Sequence, residues 1–218
     1  MARLRNIPGA RDTIKESRFC IDEPETYKGR WAEIFGNDHP IYIEIGMGKG
    51  KFLMKLAALH PEFNYIGIEM YSSVLVRAIQ KAEERENEGL STDNFKFIRM
   101  NAEELDKIFE KGEIAGIYLN FSDPWPKERH AGRRLTSDKF LSMYYRLLDD
   151  GTSVEFKTDN VDLFDFSVEC AKNSDWDLVY VTKDLYSDIN EMKDNVPTEY
   201  EEKFVAKGNK ICKMVLKK

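Results

Sequence analysis

With 218 residues, 42% hydrophobic and 12% aromatic, the chain can bury one substantial core and lies outside the composition of disordered proteins. Its formal net charge of −6 argues against a protein that coats any polyanion. No run approaches the roughly 18 apolar residues of a membrane span, and three scattered cysteines without a CxxC pair or a His/Cys cluster speak against a zinc site, so no metal is expected.

Residues 1–40 lack strong periodicity and read as a basic arm or irregular cover, ahead of a single domain over residues 41–218. Within residues 1–18, Arg3, Arg5, Arg11, Lys15 and Arg18 outnumber Asp12 and Glu16. No apolar run follows the first basic residues, so they are not a secretory signal, and the cytoplasm is the expected compartment. Cys20, Cys170 and Cys212 suit reduced thiols there.

Residues 41–45 read as a buried strand, followed by a glycine-rich turn and a helix over residues 51–59. A second strand covers residues 64–69, and Ser72 is placed to cap a helix reaching about residue 88. A third strand follows at 95–100, with Asn101 as cap of the next helix, then a fourth at 114–121 and a fifth at 153–158. Helices at 135–148 and 161–172 flank the fifth strand. Two further strands are expected in the tail, at 177–182 and 210–216, separated by a polar loop. This alternation predicts an α/β protein with a mainly parallel, seven-stranded sheet covered by helices on both faces.

Glu44-Ile45-Gly46-Met47-Gly48-Lys49-Gly50 sits where the first strand meets its helix. Open parallel sheets bind ligands at such carboxyl ends. A dinucleotide fingerprint would place its third glycine at position 51, which is Lys51; the glycine comes one residue early, at Gly50. Glu44 would also repel a pyrophosphate. S-adenosylmethionine (SAM) carries no phosphate, and its sulfonium and ammonium favour a carboxylate nearby. The pattern therefore points to a Rossmann-like SAM-dependent methyltransferase fold, with Gly46, Gly48 and Gly50 lining the cofactor. Glu69 closes the second strand, where an acidic side chain suits ribose hydroxyls or simply faces solvent. Asn101 serves as a helix cap, an adenine contact, or both. Asp123 and Asp159 complete a row of such residues at successive strand ends.

The fourth strand runs into Asn120-Phe121-Ser122-Asp123-Pro124-Trp125-Pro126-Lys127. The two prolines fix φ and bar a helix, so Asp123 leaves the strand on a stiff, extended loop. Lys127, Arg129, Arg133 and Arg134 follow against one acid, Glu128, and suit local phosphate contact.

This loop, with Arg129-His130 and Arg133-Arg134-Leu135, resembles the signature of the bacterial tRNA (guanine-N7-)-methyltransferase family almost residue for residue. So do Lys28-Gly29-Arg30-Trp31 with Phe35-Gly36, Phe156-Lys157-Thr158-Asp159-Asn160, and Thr198-Glu199-Tyr200-Glu201 with Lys203-Phe204. The resemblance implies that Glu44, Glu69, Asn101 and Asp123 contact SAM, with Asp123 catalytic. It implies that Lys127, Asp159, Thr198, Glu199, Tyr200 and Glu201 contact the substrate guanosine, and that Arg129, His130, Arg133 and Arg134 contact RNA. The partner implied is tRNA, at the variable-loop guanosine of position 46, with the protein a monomer or homodimer. Met47 stands where many relatives carry a small residue; its side chain either crowds the donor site or covers it. Asn101 stands where some relatives carry Asp. Two other readings remain open: a SAM enzyme acting on a protein or small molecule, and a non-catalytic RNA-binding module on the same fold. The reading expects the glycine turn and the Asp123 loop to converge.

Overall fold

The computed structural model describes residues 7–218, so the expected arm residues Arg3 and Arg5 lie outside the described residues. The chain forms two compact units, divided after Glu110.

The first unit opens with α1 (Ala10–Glu16), a 3-10 turn at Pro24–Tyr27 and α2 (Ala32–Phe35). There follow β1 (Ile41–Ile45), α3 (Lys51–Leu59), β2 (Asn64–Ile68), α4 (Ser72–Asn87), β3 (Phe95–Ile98) and α5 (Leu105–Ile108). β1 pairs with β2 and β2 with β3, both parallel. All five residues of β2 are buried, as expected of a strand covered on both faces. Tyr71, not Ser72, occupies the cap position of α4, and its side chain makes no cap bond.

The leading segment is a fitted cover. Phe97 donates its backbone N–H to Phe19 (2.7 Å) and Ile21 donates to Phe97 (2.9 Å), so residues 19–21 pair along β3. Covering a strand edge in this way satisfies backbone groups that would otherwise be open. The buried Trp31 packs on Phe109 and donates its indole N–H to the Ile108 carbonyl (2.9 Å). Arg18, counted above as part of a basic island, pairs with Glu86 and donates to Thr92 Oγ1 (3.0 Å).

The second unit contains β4 (Ile114–Asn120), α6 (Asp138–Leu147), β5 (Leu148–Thr158), α7 (Val161–Lys172), β6 (Asp177–Thr182), α8 (Ile189–Lys193), α9 (Glu199–Val205) and β7 (Cys212–Lys217). β4 and β5 are parallel, whereas β7 runs antiparallel to both β5 and β6. The sheet is therefore mixed, and the expectation of a mainly parallel sheet is off only at β7, which runs against its two neighbours. The cause is local: α7 returns β6 in the direction of β5 with one strand's width left open, and β7 fills that gap from the opposite end. α6 also begins three residues later than expected, because Ser137 N–H bonds the Arg134 carbonyl (3.0 Å) in a preceding turn. The basic run winds into a 3-10 helix over Glu128–Arg133. The expected polar loop of the tail holds α8 and α9.

Candidate active site

In the first unit the N–H groups of Gly46 and Met47 both donate to the Ile68 carbonyl (2.8 and 3.1 Å), tying the turn after β1 to the end of β2. Gly46 and Gly48 take positive φ values of 75° and 59°, which side-chain-bearing residues rarely adopt. A Cβ built on either would meet nothing within 4 Å, so a ligand can approach the backbone there. Gly50 differs, because its Cβ would press on Ala78 and Met54 at 3.3 Å; its smallness serves packing.

Met47 follows Gly46 in the turn. Its side chain is buried against Gly67 of β2, where an added Cβ would overlap the Met47 sulfur. Glu69 is 6% exposed, and its two carboxylate oxygens accept from the N–H groups of Gly48 (3.2 Å) and Tyr71 (2.8 Å). That fixes an acid beside the open backbone. Glu44 is buried within β1, opposite Gly67 in the register. Asn101 caps the next 3-10 turn, its side chain accepting from Glu103 N–H (3.2 Å). Approachable backbone with fixed acids fits a donor bearing two positive centres and a ribose diol.

In the second unit β4 delivers the chain into the Asp123 loop. Asp123 and Lys127 are exposed, as is Arg129 on the 3-10 helix. Phe121 and Trp125 hold left-handed φ values of 51° and 41°. Such strain costs on the order of 1–3 kcal/mol per residue and persists only where the surroundings fix it. The Arg133 guanidinium lies 5.1 Å over the Trp125 ring, and His130 meets that ring edge-on at 5.7 Å. Arg134 turns the other way and donates to the carbonyls of Pro124 (3.0 Å) and Trp125 (3.1 Å).

The acids expected around guanosine fall into two groups. Asp159, just after β5, accepts a weak bond from Asn209 (3.4 Å) and interacts with the Tyr200 hydroxyl. Partial burial and then Asp159 raise the Tyr200 pKa above its ordinary value, so that phenol keeps its proton. The Tyr200 ring stacks on Phe204 at 4.0 Å and tilts against Phe121 at 4.9 Å. Glu199, beside it on α9, is exposed. These residues of three distant motifs are brought together.

Glu201 is placed differently. It is fully buried, and its Oε2 accepts from Lys157 Nζ (2.6 Å) and Thr198 N–H (3.3 Å). Its Oε1 accepts from Asn195 (2.9 Å) and the Tyr186 hydroxyl (3.1 Å). A carboxylate has about four lone-pair sites, and all are used inside the fold. Thr198 Oγ1 accepts in turn from Glu201 N–H (3.0 Å), forming a capping box at the start of α9. Lys157 also donates to the Val196 carbonyl (3.0 Å) and Asn195 Oδ1 (3.1 Å). Burial pulls the Lys157 pKa below its ordinary value, and Glu201 resists that shift.

Lys157 stands in a block that the sequence marks without giving it a role, and nothing in the sequence pattern singled out Tyr186 or Asn195. The Thr-x-x-Glu spacing of 198–201 is itself the capping-box signal and could have announced both α9 and the inward turn of Glu201.

A family model described as "Putative methyltransferase" matches residues 38–214. A protein of Lachnoclostridium phytofermentans named tRNA (guanine-N(7)-)-methyltransferase is 53% identical over 213 residues, covering 98% of this chain and 97% of its own. One of the same name from a Geobacillus species is 49% identical over 216 residues, with 99% and 95% covered. Among solved structures, an antibiotic-related methyltransferase superposes with a TM-score of 0.66 at 21% identity, over 93% of this chain and 98% of that one. The last likeness establishes the Rossmann-like methyltransferase fold and nothing finer.

Proposed function

The chain belongs to the tRNA (guanine-N(7)-)-methyltransferase family, and from that premise we propose the following reaction and division of labour. The protein transfers a methyl group from SAM to N7 of a guanosine in tRNA, at variable-loop position 46, and works in the cytoplasm. The observation that carries this reading is the 53% identity extending over 98% of the chain.

When bound, SAM supplies a methyl group activated by its sulfonium. Guanine N7 carries an in-plane lone pair at neutral pH and has no proton to lose, so the protein needs no strong general base. Its task is orientation, which supplies on the order of 7–11 kcal/mol in well-aligned systems. Gly46 and Gly48 let the donor approach the backbone. Glu44 balances its positive charge, and Glu69 takes its ribose hydroxyls. Asn101 takes its adenine. Asp123 stabilises the positive charge as it arrives on the purine.

Asp159 and Glu199 accept from guanine N1–H and its exocyclic amine, donors that adenine does not present in that arrangement. Tyr200 borders the base with a phenol that stays protonated. Glu201, its acceptor sites already filled, holds α9 and therefore Tyr200. The base must leave its stack to reach these groups, at a cost of a few kcal/mol. Lys127, Arg129 and Arg133 contact phosphates.

Labelled SAM incubated with the protein and separate pools of tRNA, ribosomal RNA and protein tests the reading. Label should enter tRNA alone and be recovered as 7-methylguanosine by nucleoside mass analysis. Label confined to protein or ribosomal RNA would overturn it.

A further inference from the structure

Arg133 and Arg134 are adjacent in one basic run, and the resemblance assigns both to RNA. The structure separates them. Arg133 is exposed and lies over Trp125. Arg134 is half-buried, and its guanidinium lies 4.2 Å from the Phe166 ring of α7. From there Nε donates to the Pro124 carbonyl and Nη2 to the Trp125 carbonyl. Those carbonyls belong to consecutive residues directly after Asp123, and the second belongs to a residue held at a left-handed φ.

A planar fork with two parallel N–H donors can hold two successive carbonyls at once, whereas a single ammonium cannot reproduce that geometry. The base of the fork is fixed as well. Arg134 N–H bonds the Ala131 carbonyl (3.0 Å), its own carbonyl accepts from Ser137 at the start of α6, and Phe166 stacks beneath the guanidinium. The Asp123 loop thus leaves a strand at one end, and Arg134 fastens it to the α6 and α7 side.

We infer that Arg134 is a positioning residue: its two hydrogen bonds hold the strained Pro124-Trp125 turn and so set where the Asp123 carboxylate stands. The inference rests on the reading of Asp123 as the catalytic residue. Arg134 acts through backbone carbonyls and makes no contribution to phosphate binding.

The two roles respond differently to a charge-preserving change. Arg134→Lys keeps the positive charge and most of the volume but loses the fork. We expect kcat to fall about 10- to 100-fold, the range that follows when a reacting group is displaced by about 1 Å. The tRNA Kd and the salt dependence of binding should stay at wild-type values. The Trp125 resonance of 5-fluorotryptophan-labelled protein, assigned with Trp125→Phe, should shift and broaden while those of Trp31 and Trp176 stay in place. Phe166→Leu removes the stacking support and should move kcat and the Trp125 resonance in the same direction by less. Wild-type kcat in Arg134→Lys, or an unmoved Trp125 resonance, would overturn the inference. So would Arg134→Ala if it flattened the salt slope as Arg133→Ala is expected to. Near-normal turnover in Asp123→Ala, together with a shifted Trp125 resonance in Arg134→Lys, would instead remove Asp123 from its assigned role and leave the clamp standing.

Discussion

Replacing Lys157 by methionine leaves a buried carboxylate without its counter-charge. Glu201 would keep Asn195, Tyr186 and the Thr198 N–H as donors, so the deficit is one ion pair of 2.6 Å rather than the whole network. Breaking a buried pair from one side costs about 3–5 kcal/mol, and the three surviving donors place this case near the lower end. At about 2–4 °C per kcal/mol for a chain of this size, the expected fall in Tm is on the order of 10 °C. Glu201→Gln should cost a similar amount, because it strands the Lys157 ammonium. The double variant removes both charges of this pair and keeps a residue able to close the capping box. Its destabilisation should be smaller than the sum of the two singles by about 2 kcal/mol.

The pH dependence has a fixed sign. Burial sets the folded pKa of Lys157 below its ordinary value of 10.5, so the unfolded chain binds more protons between those two values and stability rises with pH across that window. Glu201→Gln removes the attraction that limits this shift. That variant should therefore regain stability from neutral pH toward pH 10 more steeply than the wild type. Thermal melts across that range and methyl-transfer assays well below Tm measure both quantities. If Glu201 instead reads guanine directly, Glu201→Gln will lose activity at unchanged Tm, and the double variant will recover none. That result, with a coupling below about 0.5 kcal/mol, would refute the network account.

Asp123→Ala should lower kcat by about 100- to 1,000-fold, the range typical of a lost transition-state charge contact, with Tm unchanged because the side chain is exposed. Gly67→Ala should destabilise the first unit by about 1–3 kcal/mol through overlap with the Met47 sulfur; Met47→Ala in the same chain should restore most of it, and urea titrations that show no restoration would rule out this contact. Tyr144→Phe should raise stability by about 1 kcal/mol, since the Tyr144 hydroxyl is fully buried and finds no hydrogen-bond partner among the described residues. Arg133→Ala should reduce the slope of log Kd for tRNA against log salt concentration by about 1, and an unchanged slope would take Arg133 out of the RNA interface.

Legibility in the sequence followed the range of the interactions. The spans Lys51–Leu59 and Val161–Lys172 were readable to the residue, because periodicity and flanking glycine or asparagine mark helix ends locally. The direction of β7 was not, because antiparallel pairing beside β5 depends on where α7 leaves β6. Asn101 could be read as a cap from its position alone. The inward turn of Glu201 depends on Lys157, 44 positions earlier, and on Tyr186. Arg134 and Arg133 are indistinguishable by composition, and only the carbonyls of Pro124 and Trp125 separate them. A motif marks which residues matter together without saying which of them touch the substrate and which hold the others.

On the proposed assignment, two acids of the site follow from what a guanine edge offers. N1–H and the exocyclic amine are donors, so a site that selects guanine must present acceptors, and carboxylates are the strongest available. Asp159 and Glu199, on this assignment, are therefore also groups that repel phosphate. Screening confines such fields to roughly 8–10 Å at physiological salt, so the attraction of Lys127, Arg129 and Arg133 for the backbone stays local. A polyanion that enters without an unstacked guanine meets the acids uncompensated. The correct nucleoside brings its own donors and relieves that repulsion. Part of the selectivity then comes from a penalty on the wrong ligand, which is how a chain of net charge −6 can act on RNA without binding RNA at large.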